Sequence, residues 1–263
     1  MKLRWIILWG LLPITLVAET GDDLLRAGWE QFRQAEFNLA IKTFERGVAQ
    51  TATNPTLQAQ ELYGLAMTWA LRRPGEDQVK AVEFYRRAIA VASDSDAAAW
   101  SWLAIAQLQH TYQDVIDKFP AHPAGTEAFL FQQAAILAMP RPATTKTATA
   151  ALVDFLKTHP QSPYRYAAWK LLAHGYQILG DHEHRLAALL ETLHAVEIDA
   201  SAPIDQAGDY WSIATVAEFD CGNFAVARDF YRKLIAEYPT DQRRFLANRE
   251  LQHMDEVEAR LRQ

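Results

Sequence analysis

The chain reads as an all-α protein, a right-handed solenoid of about five to six helix hairpins with a C-terminal capping helix. Three observations lead there. Apolar residues recur at i, i+3, i+4 and i+7, one face of a 3.6-residue period, and the period-2 alternation of strands is hard to find over any long run. Prolines and glycines fall at regular intervals between these faces, where they stop one helix and start the next. The same two-helix scheme then repeats along the chain, and repetition at 20–50 residues is the mark of a solenoid.

The clearest boundary is the stretch from His159 to Asp181. Pro160 and Pro163 lack backbone donors and bias the residue before them away from the helical region, so a helix is predicted to start near Ser162. Trp169, Leu172, Ala173 and Tyr176 share one face of it, and Gly180 ends it.

The first hairpin runs from Leu24 to Gln50, with Gly28 and Phe32 on one helix, Ala40, Phe44 and Gly47 on the next, and Ala35 to Phe37 as the turn. The second follows Asn54 and Pro55: Leu62, Leu65, Ala66 and Trp69, then Ala81, Tyr85, Ala88 and Ile89. Its longer turn is absorbed by Arg72 to Asp77. Residues 96–123 are irregular. Trp100, Leu103, Ala104 and Leu108 are continued by Tyr112, Val115, Ile116 and Phe119 with no glycine or proline between them, which favours one long helix over a hairpin with a shortened second arm. A fourth hairpin, Thr126 to His159, turns at Met139 to Pro142, and the fifth runs on from the stretch above through Leu193. In the sixth, Trp211 and Pro239 lie 28 residues apart. The repeats thus occupy residues 22–240. The tail, residues 241–263, sets Phe245, Leu246, Leu251, Met254, Val257 and Leu261 among many charges, as expected of a helix that covers the last hairpin with a polar outer face.

Residues 1–18 stand apart. Lys2 and Arg4 precede the apolar run from Trp5 to Val17, and Ala18 offers a small residue at a cleavage point, the arrangement of a secretory signal peptide. The apolar run falls short of the about 20 residues of a membrane span. The expected product is exported and periplasmic, with no membrane span after cleavage. An uncleaved anchor in the inner membrane, facing the periplasm, is the alternative. Cys221 is the only cysteine, so no internal disulfide can form. Without Lys2 and Arg4 the chain has 24 basic and 32 acidic residues, a net charge of −8. That balance disfavours nucleic acid and anionic membrane surfaces as partners.

A large aromatic, a leucine, a small residue and a tyrosine at 169, 172, 173 and 176, followed by a glycine turn, resembles the first helix of a tetratricopeptide repeat (TPR). The likeness extends over nearly all of the chain after the signal. A narrower resemblance lies in the junctions Phe119–Pro123, Thr158–Tyr164 and Glu237–Asp241, which are similar to helix endings in bacterial envelope repeat proteins such as the β-barrel-assembly lipoprotein BamD and the Tol–Pal-associated coordinator of constriction. The chain lacks the cysteine that the lipoprotein carries after its signal and the coiled coil that precedes the coordinator's repeats. What the resemblance implies is an exported scaffold for protein–protein interaction, binding a peptide or protein partner without catalysis.

Carrying the repeat register onto the first helices points Trp29, Phe32, Tyr63, Met67, Ile105, Leu108, Lys170, His174, Gln177, Ser212 and Phe219 towards the concave groove; the alternative, for Leu108 and Phe219 above all, is that they only complete the core. Repeat proteins hold extended or helical peptides on such a face. Trp169 and Trp211 are read as packing residues. No catalytic residue, metal site or cofactor is expected. His182, Glu183 and His184, flanked by His174 and His194, are the densest titratable cluster, but histidines at i and i+2 do not share a helix face. A metal-dependent enzyme built on residues 174–194 is therefore the weakest alternative. A self-associating envelope component, resting on the amphipathic tail, is the other.

Overall fold

The computed structural model describes residues 19–196 and 205–262, so the expected signal segment lies outside the described residues. Thirteen α-helices and one π-helical turn make up the described residues, and no strand occurs among them. The chain divides into two compact units, Met1–Ile105 and Ala106–Gln263.

Unit 1 contains α1 (Gly21–Arg33), α2 (Phe37–Gln50), α3 (Pro55–Leu71), α4 (Gln78–Val91) and the greater part of α5 (Asp96–Gln109). Local chemistry sets the helix starts. Thr20 accepts from the Asp23 amide while Asp23 accepts from the Thr20 amide, closing a capping box on α1. Asn54 caps α3 ahead of Pro55, and Asp77 caps α4. The core gathers Phe44, Leu62, Leu65, Ala66, Tyr85 and Ala88. At its centre the Phe44 ring is clasped between Gly28 of α1 and Gly64 of α3, where an added Cβ would come within 2.5 Å of the ring at either glycine.

Unit 2 contains α6 (Gln113–Lys118), α7 (Pro123–Ala138), α8 (Pro142–Thr158), α9 (Arg165–Leu179), α10 (His182–Val196), α11 (Gln206–Thr215), the π-turn Val216–Asp220, α12 (Phe224–Glu237) and α13 (Arg243–Leu261). Pro123 and Pro142 open α7 and α8, and Gly180, at φ 70°, closes α9 in the left-handed region that favours glycine. Leu137, Leu152, Leu172, Ile213, Leu234 and Met254 anchor the core.

Two sequence expectations are corrected. Residues 96–119 do not form one helix: His110 enters the left-handed region at φ 57°, and the Thr111 amide donates to the Ala106 carbonyl at 3.2 Å. That closes α5, and the short α6 starts afresh with Tyr112 and Val115 buried. The shared face read along the sequence belongs to two helices. The second correction is smaller. α9 begins at Arg165 rather than near Ser162, because Pro163 and Tyr164 stay in a turn in which Ser162 Oγ accepts from the Tyr164 amide at 3.2 Å.

The tail is the single helix α13. It buries Ala247 and Met254 and is tied to α12 through Arg228, which donates to Glu258 at 2.7 Å and Asp255 at 2.9 Å. Among the described residues no helix is long and apolar enough to cross a membrane.

Candidate docking cleft

The aromatic residues singled out in unit 1 come together. Trp29 of α1 meets Phe32 edge-on at 5.5 Å, Phe44 edge-on at 5.4 Å and Tyr63 of α3 at 6.0 Å between ring centroids. Tyr63 in turn lies 5.9 Å from Tyr85, whose hydroxyl donates to Met67 Sδ at 3.1 Å. Burial raises the pKa of Tyr85, so its hydroxyl stays protonated as a donor. Each ring is thus locked by a neighbour. Trp29, Phe32, Tyr63 and Met67 remain only half-buried, packed on the core from outside.

Beside this cluster is a shallow cleft of about 200 Å³, lined by Leu25 and Trp29 of α1, Gln60 and Tyr63 of α3, and Asp96, Ala97 and Trp100 of α5. Three alternate helices supply it, as expected where the first helices of successive hairpins line up. Rigid aromatic walls with a few polar groups at the rim suit an apolar side chain of a partner. Trp100 was not among the sequence candidates. Its position at the start of an irregular segment hid its register.

The remaining candidates fare differently. Ile105 is 8% exposed and belongs to the unit 1 core, so it presents no side chain to a surface. In unit 2, His174 and Gln177 are exposed on α9. Lys170 is engaged: its Nζ donates to Asp209 Oδ1 at 2.5 Å, and the Tyr166 hydroxyl donates to Oδ2 at 2.8 Å. Asp209 is 1% exposed, so Lys170 is the counter-ion of a buried carboxylate and ties α9 to α11. Ser212 Oγ donates to the Gly208 carbonyl within its own helix at 2.8 Å. Leu108 and Phe219 are exposed rather than core.

The histidines of residues 174–194 do not assemble into a site. His184 holds Asp181 at 2.9 Å and stacks on Tyr176 at 5.2 Å, while His182 lies 3.6 Å from Asp220. Cys221 sits in the turn after the π-helix, its Sγ 3.4 Å from the His182 carbonyl, and burial raises its pKa away from the reactive thiolate. Among the described residues the three-donor cluster with metal-ligand spacing is a different one, Glu218, Glu250 and His253. Its only sequence signal is the Glu250–His253 pair at i, i+3.

Successive helix hairpins that line an aromatic cleft with alternate helices define a tetratricopeptide-type α-solenoid. No protein-family model and no curated protein matches the chain. Among solved structures it is similar to PilW, described as a widely conserved type IV pilus biogenesis factor, with a TM-score of 0.57 and 18% identity over 86% of this chain and 97% of that one. It is also similar to PilF of Pseudomonas aeruginosa, with a TM-score of 0.53 and 14% identity over 89% of this chain and 97% of that one. At such identity the likeness establishes the fold.

Proposed function

We propose that the protein is an exported, non-catalytic interaction scaffold of the bacterial cell envelope that holds a peptide or protein partner in the cleft of unit 1. The observation that carries the reading is the locked aromatic wall of Trp29 and Tyr63 beside Trp100, an apolar recess across α1, α3 and α5. Export is supported by the Lys2–Ala18 pattern, and an envelope setting by similarity to PilW, a pilus biogenesis factor. Interface anchors are typically aromatic residues in rigid surroundings, because little side-chain entropy is lost on contact.

The test is affinity capture from an envelope extract with the native chain and with Trp29→Ala plus Tyr63→Ala. The variant is expected to lose its partner and keep its helical circular dichroism. Capture of the same partner by both would overturn the assignment. A second reading, self-association, rests on Phe245, Leu246 and Leu261, which α13 leaves exposed. It requires an oligomer in light scattering that Phe245→Glu with Leu246→Glu converts to a monomer.

A further inference from the structure

We propose that Glu218, Glu250 and His253 bind one divalent transition-metal ion, best matched by zinc, which pins α13 to the π-turn. The backbone prepares the site. After α11 the chain widens into the π-turn, with the Cys221 amide donating to the Val216 carbonyl at 3.0 Å, and Glu218 is carried inward until its side chain is 2% exposed. α13 faces it with Glu250 and His253, one turn apart on the same side of that helix.

Each carboxylate is held by one oxygen and offers the other. Glu218 Oε2 accepts from the Tyr231 hydroxyl at 2.8 Å, which leaves Oε1 3.4 Å from His253 Nδ1. Glu250 Oε1 accepts from Arg249 Nε at 2.9 Å and Nη2 at 2.6 Å. Its Oε2, on a side chain 10% exposed, takes no hydrogen bond among the described residues and lies 4.0 Å from His253 Nδ1. One donor atom from each residue falls within 4.8 Å of the others. For bonds of about 2.0–2.2 Å, the edges of a tetrahedral coordination shell are about 3.4 Å long, so small side-chain shifts bring all three donors onto one ion. The Tyr231 and Arg249 bonds are the outer contacts that orient metal-ligating carboxylates.

Charge points the same way. Two largely buried carboxylates face each other, and among the described residues the one full cation bonded to them, Arg249, reaches only Oε1 of Glu250. With Arg249 counted, the pair keeps one net negative charge, which a bound dication offsets. One nitrogen and two carboxylate oxygens suit zinc, whereas calcium takes six to eight oxygens and magnesium an octahedral oxygen shell. His253, half exposed, opens the site to solvent, from which water completes the coordination.

The experiment is calorimetric titration of the purified, chelator-stripped chain with zinc chloride, alongside thermal melts. One ion is expected to bind, with a melting midpoint raised by ~3 °C or more. His253→Ala and Glu250→Gln are each expected to weaken binding at least tenfold and remove the midpoint shift. His184→Ala, a histidine outside the cluster, leaves both unchanged. Because Glu218 also holds Tyr231, His253→Ala is the leading variant, with helical content checked by circular dichroism. Cobalt in place of zinc is expected to give the strong visible bands of a tetrahedral nitrogen–oxygen site. Absence of binding overturns the proposal, as does binding that survives His253→Ala or disappears with His184→Ala.

Discussion

Glu61 buries its carboxyl group against the backbone of Gly47: a Cβ added at position 47 would stand 2.2 Å from the Glu61 carboxyl carbon. Glu61 is 0% exposed, and among the described residues neither carboxyl oxygen has a hydrogen-bond partner. Burial first, and the nearby Asp22 carboxylate second, push its pKa up to about 8, so at neutral pH the group is held as the uncharged acid. α2 faces it with a glycine rather than a charge, which leaves the ionised form without compensation.

The pH dependence follows with its sign. Between the ordinary value of 4.5 and about 8 the folded chain keeps a proton that the unfolded chain releases. The contribution of Glu61 is therefore most favourable below about pH 4.5, declines as pH rises and levels off above about 8. Glu61→Gln removes this slope. Denaturant melts at about pH 5 and about pH 9 are expected to show the variant gaining on the native protein by about 3 kcal/mol at the alkaline end. Parallel pH profiles would show that Glu61 does not titrate in this way.

The clasp on Phe44 gives a second expectation. Gly28→Ala and Gly64→Ala each force a methyl group to within 2.5 Å of the ring, and the ring is fully buried with nowhere to turn. Each substitution is expected to lower stability by about 2–3 kcal/mol, and the pair by more than the sum, because a ring clasped between the two positions cannot move away from one methyl without meeting the other. Urea denaturation of the two single variants and the double variant measures this.

Lys170 separates structural from docking roles. Lys170→Met leaves Asp209, buried and still bonded to Tyr166, without its cation, so a loss of about 3 kcal/mol in urea melts is expected. Gln177→Ala, on the exposed side of the same helix, is expected to change stability by less than about 0.5 kcal/mol.

Arg243 joins two acids, donating to Asp241 at 2.7 Å and to Asp205 at 2.8 Å. Its guanidinium bonds lower the pKa of both, that of Asp241 to about 2, with the Arg243 amide adding to the effect there. Their stabilisation is present above the ordinary value of 3.8 and lost as pH falls through the lowered values. Arg243→Ala is expected to melt below the native protein at pH 7, with the gap closing between about pH 4 and about pH 2.

Much of the fold is legible residue by residue. Pro123, Pro142 and Gly180 punctuate helices through their own backbone limits, and Trp29, Phe32, Tyr63 and Met67 share a surface because the repeat register sets their direction. The break at His110 is not legible in the same way. A histidine entering the left-handed region has no strong sequence signal, and the apolar face continues across it. Ile105 and Lys170 follow the register onto a first helix yet serve the core and a buried ion pair, because register gives a direction and not the neighbour found there.

The sequence by itself determined that the chain is a run of helix hairpins, since helical period, caps and breakers act over only a few residues. The tertiary structure decided which polar groups are enclosed and by what. Asp209 meets Lys170 across 39 positions, Glu218 meets His253 across 35, and Glu61 is sealed beneath Gly47 of a neighbouring helix. Such pairings depend on how separate helices pack, and no local pattern encodes that.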